Sequence, residues 1–327
     1  MLKIGFIGVG GIAGRHIANL KQLGRSEFVA FCDIAEEKAK QAVSENGGNA
    51  YTDFNEMLDK EKLDAVFICT PPFVRAEPIA SASAKGVAIF SEKPPAFNSE
   101  QGKTGVNAIK KAGIINSVGF MYRWLMTVAK AKELMKGKKI SAIRSVFLCG
   151  PAVHLNIPGW FFIREKSGGP LMDQAIHVLD LHRYLAGEVT KIHAFGNNMI
   201  QPKRADFTTE ETIVMDLQFD SGIIGSHTHS WACDVAMAQV EIISDYSRFT
   251  IDLFANSIFG TLEGAQINEK MTDNCYLTEV DNFLTAVEKK DQSILRSSYQ
   301  DAVNTCAVTW AGLESIDSGE VKTPLRF

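Results

Sequence analysis

The chain has 327 residues, 46% of them hydrophobic and 22% charged, which is enough apolar material for two cores and more length than one usually takes. Thirty-four basic against 38 acidic residues leave a net charge of −4 with no long run of either sign, which argues against a nucleic-acid or polybasic membrane surface. No apolar stretch reaches membrane-spanning length, since Pro71 and Pro72 interrupt the strongest one, Ala65 to Phe73.

In chain order, the first third alternates two patterns. Apolar, β-rich runs occur at Ile4–Ile7, Phe28–Cys32, Ala65–Cys69, Val87–Phe90 and Ile114–Gly119. Helical patterns separate them at Ile12–Leu23, Glu36–Glu45, Arg75–Lys85 and Ser99–Lys111. The strands are apolar throughout rather than alternating, as in a parallel sheet covered on both faces. This order predicts a doubly wound Rossmann domain over residues 1–121.

After residue 121 the texture changes. A helix over Leu125–Lys136 leads into strands near Ala142–Cys149, Ile192–Gly196, Thr212–Phe219, Ile223–Trp231, Val240–Ile243 and Phe249–Leu253. Asp220-Ser221-Gly222 reads as a hairpin turn between two of them. One helix, roughly Leu171–Leu185, interrupts the series and two more close the chain. The expected fold is therefore α/β plus α+β. A parallel N-terminal sheet is followed by a mostly antiparallel sheet domain over residues 122–327, which carries substrate binding and oligomerisation. A homodimer or homotetramer is expected. The six cysteines (Cys32, Cys69, Cys149, Cys233, Cys275 and Cys306) form no C-x-x-C pair, so buried free thiols in a reducing cytoplasm are expected.

The first chemical signal is at the N-terminus. Ile4 to Gly14 reads as a strand entering a Gly-rich turn and a helix, with Gly8, Gly10 and Ala13 matching G-x-G-x-x-[G/A]. Gly8 permits the tight turn, Gly10 lets the backbone approach a pyrophosphate, and Ala13 leaves room for helix–strand packing. The helix start, with Gly11 and Ile12, supplies amide donors and a positive dipole end. Asp33 closes the second strand, where a carboxylate accepts hydrogen bonds from ribose hydroxyls and repels a 2′-phosphate. NAD is therefore favoured, with NADP possible because Lys38 and Lys40 follow on the next helix.

The second signal is Glu92-Lys93-Pro94, directly after the Val87–Phe90 strand, at the end of the sheet where ligands of such folds bind. The third is Gly168-Gly169-Pro170 opening a helix on which Asp173 and His177 stand four apart. Tyr122, Trp160 and Arg164 are candidates for the substrate pocket, as an aromatic platform for a sugar ring and a guanidinium for a hydroxyl or carboxylate. His227 and His229 share a strand face, but no third or fourth ligand completes a metal site, so no metal is expected. His154 reads as a solvated loop histidine. His16, His182 and His193 read as structural, and so does Asp180.

Together these segments resemble the Gfo/Idh/MocA family of oxidoreductases, and the likeness extends over nearly the whole chain. Supporting matches are Cys69-Thr70-Pro71-Pro72, Gly119-Phe120-Met121-Tyr122-Arg123 and Ser315 to Gly319. The resemblance implies an NAD(P)-dependent dehydrogenase or reductase acting on a secondary hydroxyl or ketone of a small sugar, cyclitol or sugar derivative. It puts Lys93, Asp173 and His177 at the catalytic positions, and Thr70, Pro71, Glu92 and Lys93 beside the cofactor. His177 is expected as general base in oxidation, with Lys93 stabilising the alkoxide and Asp173 orienting a hydroxyl or His177; the roles of Lys93 and His177 can be exchanged. Pro170 departs from the small residue the family often carries there. Two other readings stay open: an NAD-dependent glycosidase or epimerase-like enzyme using transient oxidation, and a non-catalytic cofactor-sensing protein on the same fold.

Overall fold

The computed structural model describes residues 1–150, 159–200 and 205–327. The first strand, β1 (Leu2–Ile7), buries Ile4, Phe6 and Ile7, so apolar side chains leave it on both faces. It lies in a parallel sheet with β2 (Ser26–Cys32), β3 (Asn49–Tyr51), β4 (Ala65–Ile68), β5 (Ala88–Ser91) and β6 (Asn116–Val118). Their spatial order is β3-β2-β1-β4-β5-β6. The crossovers run through α1 (Gly11–Leu23), α2 (Glu36–Asn46), α3 (Phe54–Lys60), α4 (Ala76–Ala84) and α5 (Ser99–Ala112). This is the doubly wound order, and it reverses direction between β1 and β4, where ligands of such sheets bind.

A ladder of phenylalanines binds the middle of this sheet. Phe31, Phe6, Phe67 and Phe90 come from four adjacent strands and are register partners in turn. Their rings stack, with Phe6 to Phe67 at 5.1 Å and Phe67 to Phe90 at 4.9 Å. One late helix, α9 (Cys275–Lys289), seals the ladder. Its Phe283 meets Phe67 edge-on at 5.6 Å and Phe90 at 5.4 Å, and Val280 and Leu284 join the same core.

That packing changes the domain division. The chain separates into one unit of residues 1–121, 274–303 and 327, and a second of residues 122–273 and 304–326. The split expected from pattern alone, 1–121 and 122–327, misses the return of residues 274–303 because a helix's apolar stripe does not say which sheet it covers.

The second unit begins with α6 (Met126–Met135) and β7 (Ile140–Leu148) and continues through α7 (Arg164–Ser167) and α8 (Ile176–Ala186). Then follow β8 (Val189–Asn197), β9 (Thr212–Phe219), β10 (Ile224–Ser230), β11 (Met237–Ser244), β12 (Ser247–Asp252), β13 (Ser257–Leu262) and β14 (Ala265–Lys270). They form one sheet in the order β14-β13-β12-β11-β7-β10-β9-β8, antiparallel except where β7 meets β10. β9 alternates, burying Ile213, Met215, Leu217 and Phe219 while the residues between face outward, as expected of a sheet with one covered face. The expected hairpin turn at Asp220-Ser221-Gly222 is present, with Gly222 at φ 85° donating to the Phe219 carbonyl. The last helix, α10 (Tyr299–Ser318), spans the division between the units.

The pattern reading missed five elements: β3, α3, α7, β13 and β14. β3 has three residues, and β14 at the sheet edge reads AQINEK, with no apolar alternation to betray it. All six cysteines are free, but only Cys32 and Cys306 are buried; Cys69, Cys149, Cys233 and Cys275 are half-buried, which corrects the expectation of six buried thiols. Among the described residues no helix is long and apolar enough to cross a membrane. His154 lies outside the described residues.

Candidate functional site

In the first unit the site grows from the turn after β1. Gly8 has φ 85°, and a Cβ there would sit 2.9 Å from the Cys69 carbonyl carbon and the Thr70 nitrogen, so only glycine lets this turn lie against the end of β4. A Cβ at Gly10 or Gly11 would meet nothing within 4 Å, which leaves open space over the first amides of α1. Ile12 follows in the same helical turn, half-buried. The residues present therefore fit a dinucleotide pyrophosphate: bare backbone, exposed helix-start amides and a positive dipole end. A cleft of about 590 Å³ adjoins the turn, lined by Val9, Gly10, Gly11, Lys38 and Gln41 among others.

Asp33 directly follows β2 and ties the neighbouring turn to its own loop. Its Oδ2 accepts the Val9 amide at 3.0 Å and its Oδ1 accepts the Ala35 amide at 2.9 Å. Each oxygen keeps a second lone pair, so the carboxylate can tie the two loops together and still receive a ribose hydroxyl. Lys40, considered for a 2′-phosphate, is paired with Glu36 at 3.0 Å on its own helix. Lys38 alone of the two lines the cleft.

Thr70 and Pro71 follow β4 and Glu92 and Lys93 follow β5, so both pairs leave the carboxyl edge of the sheet, the first against the Gly8 turn and the second one strand further out. Lys93 is half-buried. Glu92 is 5% exposed, and its Oε1 lies 2.7 Å from Nε2 of His16, which α1 buries completely. Burial opposes ionisation of Glu92, but the hydrogen bond from His16 and the nearby charges of His16, Lys93 and Arg75 hold its carboxyl below the usual range. Pattern reading treated His16 as structural and had no view of Arg75. The signal for His16 lay in its place one turn into the helix that follows the Gly-rich loop; for Arg75 there was none.

In the second unit, Gly168 (φ 70°) and Gly169 (φ 65°) turn the chain into the Asp/His helix. A Cβ at Gly169 would collide with Thr209 Oγ1 at 1.9 Å. The segment Leu171–Ala175 is a π-helical turn, continued by α8 from Ile176, where a plain α-helix was expected. The turn is held by Gln174, whose Oε1 accepts the Trp231 indole N–H at 2.6 Å and the Cys149 thiol at 3.2 Å. Such bulges widen a helix locally and are frequent at functional sites. Asp173 sits in the turn, half-buried, and His177 two residues beyond its end, 8% exposed.

Tyr122 joins them: its ring lies edge-on to His177, centroids 5.4 Å apart. The next residue, Arg123, clamps Asp180 through two bonds, Nε at 2.7 Å and Nη2 at 2.6 Å. Asp180 also accepts the Thr305 hydroxyl at 2.9 Å. The pair thus locks the Tyr122 segment to the helix of His177. Trp160 stacks on Phe161, centroids 4.0 Å apart. Arg164, expected at the substrate, is instead engaged by Glu210 at 2.8 Å, Asp317 at 2.9 Å and the Leu313 carbonyl at 3.3 Å, because its short helix packs beside the acidic face of α10. Among the described residues no group of three or more side chains is arranged to hold a metal.

The comparisons with known proteins converge on one family. The model described as "Oxidoreductase family, NAD-binding Rossmann fold" matches residues 2–120, and "GFO/IDH/MocA C-terminal domain" matches residues 128–250. The Bacillus subtilis protein named uncharacterized oxidoreductase YrbE is 30% identical over 220 residues, 67% of this chain and 64% of that protein's length. The D-glucoside 3-dehydrogenase of Escherichia coli is 27% identical over 319 residues, 88% of each chain. A solved levoglucosan dehydrogenase in complex with NADH shares the fold over 100% of both chains, with a TM-score of 0.90 at 21% identity. With an NAD-binding Rossmann unit, a mostly antiparallel second sheet and both family models matched, the chain belongs to the GFO/IDH/MocA family of oxidoreductases.

Proposed function

We propose that this protein is an NAD-dependent dehydrogenase or reductase acting on a secondary hydroxyl, or the matching ketone, of a sugar, cyclitol or sugar derivative. The observation that carries the reading is Lys93, an amine that leaves the carboxyl end of β5, on the same edge of the sheet as the dinucleotide turn and one strand beyond the β4 end that this turn meets. Relatives named for myo-inositol and D-glucosides support the substrate class. Gly8, Gly10, Gly11 and Ile12 would hold the pyrophosphate and Asp33 the ribose, with Thr70 and Pro71 flanking them. The bound nicotinamide supplies the hydride acceptor in oxidation and the donor in reduction.

His177 takes the hydroxyl proton in oxidation and returns it in reduction, a task suited to a side chain that titrates near neutral pH. Lys93 stabilises negative charge on the substrate oxygen. Asp173 orients a substrate hydroxyl or His177, and Tyr122 holds the His177 ring edge-on. We assign Arg164 to packing, since both its terminal nitrogens are engaged by Glu210, Asp317 and Leu313.

The test is a screen of polyols and sugars, beginning with myo-inositol, glucosides and levoglucosan, read by absorbance of reduced nicotinamide. Net NADH production identifies a dehydrogenase and separates it from a glycosidase or epimerase that returns its hydride. With an accepted substrate, Lys93→Met and His177→Ala should each lower turnover by roughly a hundredfold or more and leave NADH affinity largely intact. Full turnover in folded Lys93→Met would end the mechanism.

A further inference from the structure

The backbone around Lys93 is restrained from both sides. Its own amide donates to Glu92 Oε2 at 3.1 Å, while the other oxygen of that carboxylate takes His16 at 2.7 Å. The carbonyls before and after it, those of Glu92 and Pro94, both accept from a single nitrogen, Arg75 Nη1, the first at 2.7 Å. Arg75 Nη2 bonds the Thr70 carbonyl, so the same guanidinium spans the loops after β4 and β5. A Cβ at Gly119 would come 3.1 Å from Glu92 Oε1, so glycine there leaves the carboxylate its room. Tyr276 of α9 lies edge-on to the His16 ring at 6.5 Å, and Arg15 sits 4.6 Å over the Tyr276 ring.

A buried carboxylate and guanidinium carry a large desolvation cost, and burying them for stability alone is a poor bargain against apolar side chains of similar size. What this arrangement supplies is position. α1 begins at the Gly-rich turn and buries His16 within its second turn, so the helix that would receive the pyrophosphate is joined through His16 and Glu92 to the amide of Lys93. We infer that His16, Glu92 and Arg75 form a positioning network for Lys93, with His16 transmitting the placement of the dinucleotide turn to the lysine and Arg75 fixing the two peptide groups around it. Glu92 on this account positions Lys93 rather than binding the cofactor, because it is only 5% exposed and both its oxygens already serve His16 and the Lys93 amide. The inference rests on the reading of Lys93 as the cation that serves the reaction.

Residue-resolved hydrogen–deuterium exchange on the full chain tests the network without a substrate. In His16→Phe, which keeps a ring but removes the donor, the Lys93 amide should exchange at least tenfold faster, while the amides of Phe6 and Phe67 in the sheet are unchanged. His16→Gln, whose amide can still donate to Glu92, should restore most of the protection. Arg75→Lys keeps the charge but cannot bridge the two carbonyls, so the Lys93 amide should again exchange faster; it also carries the test if His16→Phe does not fold. NADH affinity, followed by its fluorescence, should change little in any variant. Unchanged exchange at Lys93, or a uniform rise over the whole unit, would overturn the network. Turnover on an accepted polyol separates this inference from the function beneath it. A kcat lost in Lys93→Met but retained in His16→Phe removes the network and leaves the dehydrogenase standing, whereas full turnover in Lys93→Met removes the function whatever the exchange shows.

Discussion

His16 in the first unit and His182, His227 and His229 in the second are equally hidden, each 0% exposed, yet the two units treat the same ring in opposite ways. His16 faces the Glu92 carboxylate at 2.7 Å. In the second unit, both ring nitrogens of His182 and of His229 find no hydrogen-bond partner among the described residues, and His227 has only the Ser145 hydroxyl, at 2.7 Å from Nδ1. Those three rings follow one another in the core at 6.5 and 6.0 Å, with Phe147 stacked on His229 at 5.2 Å. Burial drives His182 and His227 down to about 3, with the His227 charge adding to the effect on His182, and holds His229 well below its ordinary value. The lesson is that a buried histidine has two stable fates. It becomes part of a charged array that fixes geometry, or a neutral ring that packs like an aromatic.

The sharpest challenge to this comparison comes from a fully buried ion pair in the second unit, Arg123 with Asp180. If a buried charge there is kept only with its partner, Arg123→Met should cost about 3–5 kcal/mol in denaturant unfolding by leaving Asp180 uncompensated. Adding Asp180→Leu should recover much of that loss. A cost below about 1 kcal/mol for Arg123→Met would mean the pair is solvated and the contrast with the neutral histidines is false.

A smaller effect should appear in the pH dependence of stability. The three neutral histidines have folded pKa values below the unfolded value of about 6.5, so between the two the unfolded chain binds more protons. Stability is then full above about pH 6.5 and falls as the pH drops towards the folded values, by up to about 1.4 kcal/mol per pH unit for each ring. His229→Phe should flatten that acid limb by about one ring's share, read from unfolding midpoints between about pH 5 and 7. An unchanged slope would show that His229 is protonated in the folded state.

The smallest expected effect is at the cofactor cleft. Asp33→Ala removes a ribose acceptor and a charge that repels a 2′-phosphate, while also freeing the Val9 and Ala35 amides. NAD affinity should weaken by about tenfold, on the scale of one hydrogen bond to a charged group, and NADP affinity should weaken less or improve towards Lys38. Isothermal titration of both cofactors measures this. Equal losses would mean that Asp33 acts through loop shape alone.

Much of this was legible beforehand, because the signals are local. Gly8, Gly10 and Ala13 mark a strand–turn–helix junction through backbone sterics, the apolar runs mark a covered parallel sheet, and the alternation in β9 marks a half-covered one. Asp173 and His177 were read as four apart on one α-helical face, whereas Asp173 lies in a π-helical turn and His177 in the α-helix that follows it. Tertiary structure alone decided the rest. Residues 274–303 join the first sheet because Phe283 fits over the Phe67 and Phe90 rings, a long-range match that no periodicity encodes. The π-turn under Asp173 depends on Trp231 reaching Gln174, 57 residues away in the chain. Arg164 was drawn to Glu210 and Asp317, and His16 to Glu92, by partners 46, 153 and 76 residues distant. Whether a polar side chain serves chemistry or packing is set by which partners the fold brings within hydrogen-bond reach, and a single sequence carries no record of that distance.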